Sequence, residues 1–260
     1  MNTCWHSSLL GFCGVLLVGC AQLQSADPKT DEAAHTYYRL GIGYLQSQHY
    51  QIAQQHLKRA AELRPDHADT QTALGASYEE MGESESAYPH YQRAYELAPT
   101  NPVVLNNYAK TLCNQEKYAE AEILFMQAVA DKHYVAPEIT WTSAAICAER
   151  VPDLAKAEQH LRKALELNPR YPLALYRLAE LLYEQGNALP ARAFMQRYAE
   201  NSAHVAATLW LAAHIECKLG DRSALASFQL SLVKRFPDAE QTRFLMEQKN
   251  YDLCKTPYRY

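Results

Sequence analysis

No segment of this 260-residue sequence is patterned for catalysis. HExxH, GxSxG, the Walker A loop and GxGxxG are all missing, which removes the common zinc, acyl-transfer and nucleotide sites. None of the ten histidines pairs with a second histidine and a carboxylate at metal-ligand spacing, so they read as solvent-facing helix residues. CxxC is absent too, which argues against a metal centre or thioredoxin-like redox chemistry. Positive charge is in short supply: the formal net charge is -4 and the pI near 6.2. A general nucleic-acid binder needs a basic surface, so the balance argues against that class while leaving room for a local basic patch. Glycine is scarce, with 9 residues, while 48% of positions are hydrophobic. Such a chain is globular and can bury a continuous core. No catalytic residue, metal, cofactor or small-molecule substrate is expected.

A long apolar run is missing as well. Leu9 to Val18 is apolar for ten residues, where a membrane-spanning helix needs about 20. Its length fits a signal-peptide hydrophobic region, although Met1 to Ser8 holds no Lys or Arg. Directly after it, Leu17-Val18-Gly19-Cys20 resembles the bacterial lipobox, in which the cysteine thiol accepts diacylglycerol. The alternative is a plain signal peptide followed by a chance cysteine. Lipidation at Cys20 implies residues 1–19 as signal, and several acyl chains hold a protein to a membrane far better than one. Ala21 follows the lipid site in place of Asp, which under the bacterial sorting rule implies the outer membrane, with the protein facing the periplasm. Residues 20–33 then read as the lipidated N-terminus and a polar tether reaching at most about 45 Å.

What the sequence does have is a period. Leu40, Gly41, Tyr44, Ala53, Leu57, Ala60 and Pro65 return 34 positions later as Leu74, Gly75, Tyr78, Ala87, Tyr91, Ala94 and Pro99. Gly41, Gly75, Ala109, Ala145 and Ala179 mark where two helices cross too closely for a large side chain, and Ala53, Ala87, Ala121, Ala157 and Ala191 answer them on the second helix. A proline after the second helix stops it. Glu80-Met81-Gly82-Glu83 and Glu184-Gln185-Gly186-Asn187 supply turns between helices. The pattern resembles the tetratricopeptide repeat and predicts an all-α, right-handed superhelical solenoid of six repeats. They fall at 34–67, 68–101, 102–135, 138–171, 172–205 and 206–239, with a two-residue phase break at Ala136-Pro137. Residues 240–260 follow, a capping helix over about 241–249 and then an end that reads as frayed.

In a tetratricopeptide array the first helices line a concave, protein-binding groove. Transferred by position, that resemblance nominates Tyr38, Ile42 and Leu45, then Asn106 and Lys110, and finally Tyr176, Tyr183 and Trp210; Asn107 joins Asn106 as a candidate hydrogen-bonder in the groove or between repeats. Such a groove is apolar at one end and aromatic at the other, and suits an extended or helical segment with apolar anchors. Tyr183 and Trp210 are equally consistent with packing between repeats. Four cysteines besides Cys20 follow the signal, and allow three full pairings. Cys113 and Cys147 lie on first helices of successive repeats, so either a bridge across the phase break or two buried free thiols is possible.

The run Asn106-Asn107-Tyr108-Ala109-Lys110-Thr111-Leu112-Cys113 resembles the PilF/PilW family of type IV pilus assembly lipoproteins, with Ala109 and Thr111 replacing a glycine and an aromatic of the family pattern. Cys147, Ala191-Arg192-Ala193-Phe194-Met195-Gln196-Arg197-Tyr198, Leu209-Trp210-Leu211 and Arg235-Phe236-Pro237 add to the likeness. The resemblance implies a pilotin: a lipid-anchored scaffold that binds the pilus secretin subunit and promotes its outer-membrane localisation, multimerisation or stability. A general envelope adaptor, serving outer-membrane protein insertion or peptidoglycan enzymes, is the alternative.

Overall fold

Helices alternate along the chain with almost constant length. The computed structural model describes residues 27–151, 153–247, 253–255 and 258; the expected signal peptide and Cys20 lie outside them. Six helix pairs follow one another: α1 (Pro28–Gln46) with α2 (Tyr50–Leu63), α3 (Ala68–Glu80) with α4 (Ser84–Leu97), and α5 (Pro102–Asn114) with α6 (Tyr118–Ala130). Then come α7 (Pro137–Arg150) with α8 (Leu154–Leu167), α9 (Pro172–Glu184) with α10 (Ala188–Asn201), and α11 (Ala206–Leu219) with α12 (Arg222–Arg235). A shorter α13 (Glu240–Glu247) and a 3-10 turn (Leu253–Lys255) close the described chain. No strand and no helix long and apolar enough to cross a membrane occurs among the described residues.

The punctuation comes from the sequence. Pro28, Pro102, Pro137 and Pro172 open α1, α5, α7 and α9, where the missing amide proton costs nothing. At the other end, α2, α4, α8 and α12 each stop two residues before Pro65, Pro99, Pro169 and Pro237, because a proline disfavours helical backbone in the residue ahead of it. The Asn101 side chain accepts from the Val103 and Val104 amides, and Asp153 and Asp221 cap α8 and α12 in the same manner. Two boundaries differ from the sequence reading. Residues 28–33, expected in the tether, form the first turns of α1, whose Pro28 follows the Asp27 cap. The first helix of the fourth repeat begins at Pro137, inside the phase break.

Each helix packs on its hairpin partner, and each second helix packs on the first helix of the next pair. First helices also touch one another along the stack: α1 meets α3, α3 meets α5, α5 meets α7, and α9 meets α11. Second helices make no comparable contact among the described residues. The first helices therefore form the tighter, inner layer and the second helices the outer one, which curves the stack into a solenoid with a concave inner face. Four patches of core follow the stack, the largest running from Ala145 to Ile215 and the next from Leu105 to Cys147.

Small residues set the spacing inside a pair. At Gly75 an added Cβ would stand 2.7 to 2.9 Å from three ring atoms of Tyr91; at Gly41 it would stand 2.5 Å from Leu57 Cγ. Helices meet at those points with almost no gap. The sixth pair is sealed by α13, which lies on α11 and α12. There the Thr242 hydroxyl donates to the Phe236 carbonyl at 2.6 Å, fixing the entry to the cap.

Candidate protein-binding groove

The inner face carries one residue from the same helical position of every pair: Tyr38, Thr72, Asn106, Thr142, Tyr176 and Trp210. At the N-terminal end Tyr38, Ile42 and Leu45 are half-buried against Leu57, Ala73 and Leu74. Tyr38 stacks edge-on against His67 at 5.3 Å. Burial, and then the Asp69 charge, push its hydroxyl pKa up. These three residues thus pack partly into the joint between the first two repeats and show the rest of their surface to solvent.

Polar groups dominate the middle, and most are paired with each other. Lys110 Nζ lies 2.9 Å from Glu79 Oε1, and Glu79 also accepts from the Tyr91 hydroxyl at 2.9 Å. Arg150 donates to Asn114 Oδ1 at 2.7 Å. Asn106 is buried, and its Nδ2 donates to Asn107 Oδ1 at 3.3 Å while its own Oδ1 has no hydrogen-bond partner. A cavity of about 220 Å³ opens between Glu79, Lys110, Cys113, Phe125, Ile146 and Arg150. Its floor is a disulfide: Cys113 and Cys147 are bonded, with their Cα atoms 5.9 Å apart. The bond joins α5 to α7 and bridges the phase break. Lys110 is therefore half of an ion pair within the groove, and a partner would meet a nearly neutral surface there.

Aromatic residues gather at the C-terminal end. Glu180, 6% exposed, accepts from the Tyr176 hydroxyl at 3.0 Å and from Arg177 at 2.7 Å, and Arg177 also pairs with Glu149. Tyr183 and Trp210 stand edge-on to the His214 ring. His214 is buried, its Nδ1 is 3.5 Å from the Tyr183 hydroxyl, and its Nε2 has no partner.

The end of the chain departs from the sequence reading. Cys254, placed in a frayed tail, is bonded to Cys217 on α11 with a Cα separation of 5.3 Å. Tyr258 reaches into the groove itself: its hydroxyl donates to Glu180 Oε1 at 2.8 Å, and Trp210 Nε1 donates to its backbone carbonyl at 3.2 Å. Trp210, nominated as a groove residue, is 3% exposed and lies beneath Tyr258 and Phe244. Of the nominated residues, the structure brings Tyr176, Tyr183 and Trp210 into one cluster, and keeps Tyr38, Ile42 and Leu45 at the opposite end. The sequence reading by repeat position includes Glu180 and His214 among the inward-facing residues, whereas Tyr258 is not among them. The only signal for Glu180 and His214 was their inward-facing repeat position, and for Tyr258 there was none.

The His214 environment makes a pH prediction. Burial lowers its pKa from 6.5 to about 4, so between those values the unfolded chain binds a proton that the folded chain refuses. Stability therefore falls as pH drops through that window. Burial also lowers His90, His160 and His204, which act in the same direction. Thermal melts at pH 7 and pH 5 should differ by about 2 kcal/mol from His214 alone. In His214→Gln that share of the difference should vanish; an unchanged pH dependence would refute the assignment.

Comparison with known proteins agrees with this geometry. Three tetratricopeptide-repeat family models match residues 38–102, 90–123 and 153–213. Over 249 residues the chain is 28% identical to the type IV pilus assembly protein PilF of Pseudomonas aeruginosa, covering 94% of this chain and 99% of that protein. The solved structure of Pseudomonas aeruginosa PilF superposes with a TM-score of 0.70 at 29% identity, over 85% of this chain and all of that one (100%). PilW, described as a widely conserved type IV pilus biogenesis factor, shares the fold with a TM-score of 0.74 at 23% identity, covering 82% of this chain and 98% of that one. The chain thus belongs to the tetratricopeptide-repeat proteins and is similar over nearly its whole length to the type IV pilus assembly protein PilF.

Proposed function

We propose that this protein is a lipid-anchored scaffold of the outer membrane that binds the type IV pilus secretin subunit and promotes its localisation, multimerisation or stability. The observation that carries the reading is the end-to-end match with PilF, which leaves no large segment of either chain over for a different activity. Two features support it. The inner face offers apolar and aromatic anchors while its charges are largely spent on one another, which suits a protein segment better than a charged small molecule. The sequence Leu17-Val18-Gly19-Cys20 follows an apolar run of signal-peptide length. An acylated Cys20 would confine the scaffold and its cargo to one membrane surface, and the gain is in local concentration with no new contact required.

Two outcomes test this reading. Affinity isolation of the protein from detergent-solubilised envelopes should bring down the secretin subunit, and its absence there would contradict the partner. Replacing Cys20 with alanine should move the protein out of the membrane fraction; unchanged fractionation would refute lipidation.

A further inference from the structure

The C-terminal tail treats the groove as a ligand would. Tyr258 is held through three separate features. Its ring stands edge-on to Tyr183 at 5.6 Å and to His214 at 5.5 Å. The hydroxyl donates to Glu180 and lies 3.4 Å from the Tyr176 hydroxyl. The backbone carbonyl accepts from Trp210. Ring, hydroxyl and main chain are the three handles by which an extended peptide is read: aromatic faces for the ring, a buried carboxylate for the hydroxyl, and a side-chain donor for the backbone. A phenylalanine would leave the bond to Glu180 unmade.

A cavity of about 700 Å³ with largely apolar walls lies near Ile123 and Lys156. In the Glu79–Lys110 cavity the two charges are spent on each other.

We propose that the inner face of the fifth and sixth repeats is a tyrosine-reading peptide subsite, occupied in this chain by its own Tyr258. A tyrosine-bearing segment of a protein partner enters it only by displacing Tyr258. The Cys217–Cys254 bond fixes Cys254 to α11, four residues before Tyr258. Short tethers give effective concentrations in the millimolar range, so a weak intramolecular contact suffices to exclude a peptide of similar sequence. The same arithmetic states the opposite: with the tether cut and Tyr258 removed, the apparent affinity of an external peptide rises by the factor the tail had suppressed. This inference stands apart from the pilus reading, and its failure leaves that reading untouched.

The probe is a fluorescein-labelled peptide of residues 253–260 with Cys254 as serine. It is titrated into the full mature chain and into the variant Cys217→Ser/Cys254→Ser/Tyr258→Ala. Fluorescence anisotropy should show at least tenfold tighter binding to the variant. Replacing the peptide's Tyr258 with alanine should abolish that gain, although Tyr260 remains; phenylalanine there should weaken binding severalfold. Equal affinity for both proteins, or no binding to the variant, overturns the proposal. Should the triple variant lose its helical circular dichroism, Tyr258→Ala alone keeps both cysteines and gives the same comparison, with equal affinity again the overturning result.

Discussion

Serine at both Cys113 and Cys147 is expected to destabilise the fold by about 4 kcal/mol. The bridge closes a loop of sequence separation 34, and the chain-entropy relation for such a loop gives roughly 3.8 kcal/mol at 25 °C. Both thiols lie in the core, 4% and 5% exposed, and the bridge packs in one cluster with Leu105, Leu112 and Phe125, so the hydroxyls also inherit an apolar site. The consequence is local as well as global. In a solenoid each repeat is held only by its neighbours, and this bond crosses the one joint where the repeat phase slips. Denaturant unfolding should therefore move to lower concentration and lose cooperativity, with the first three repeats melting apart from the last three. A variant that melts as one unit at the native midpoint would show that the bridge carries little of the stability.

The second large effect is expected at the crossing of α3 and α4. Gly75→Ala should cost about 3 kcal/mol, the upper end of what one added methyl does in a packed core. The magnitude follows from what lies opposite. Tyr91 is 2% exposed, its ring is within 2.9 Å of the new Cβ, and its hydroxyl is tied to Glu79 at 2.9 Å. It can retreat only by breaking that bond, and Glu79 in turn holds Lys110 of the next repeat. The corresponding crossings already use alanine: Ala109 packs in the cluster of Phe125, and Ala145 and Ala179 in the cluster of Leu161 and Met195. Glycine is thus demanded by the tyrosine and not by the repeat as such. A double-mutant cycle separates these readings. Gly75→Ala combined with Tyr91→Leu should cost clearly less than the sum of the two single changes, and strict additivity would contradict the steric account.

Those two positions also show how much was legible beforehand. Residues that recur with the period are governed by contacts within a repeat or between neighbours, so Gly75, Ala109, Pro99 and Pro169 could be assigned roles from spacing alone. The left-handed turn position is half legible for the same reason. Gly82, Gly186 and Gly220 take positive φ there, but Gln48 and Glu116 adopt the same backbone at φ 61° and 63°, and nothing in their side chains announces it. Repeat four falls one residue early because Pro137 is a better first helical residue than its neighbours, and a preference of one residue is invisible to a 34-residue period. The tail lay out of reach altogether. Tyr258 meets partners 78 and 82 positions back in sequence, and Cys254 finds Cys217 at a separation of 37; a short polar end carries no periodic mark of either. Position in the repeat puts the nominated residues on the first helices, whereas Tyr258 covers the C-terminal end of that face, which position alone could not reveal.

The proposed role of this scaffold in secretin assembly is checked by deleting the gene and measuring surface pili together with heat-resistant secretin multimers in the outer membrane. Both should fall sharply, and the native gene should restore them, whereas a Cys20→Ala copy should not. Normal amounts of both in the deletion strain would contradict it.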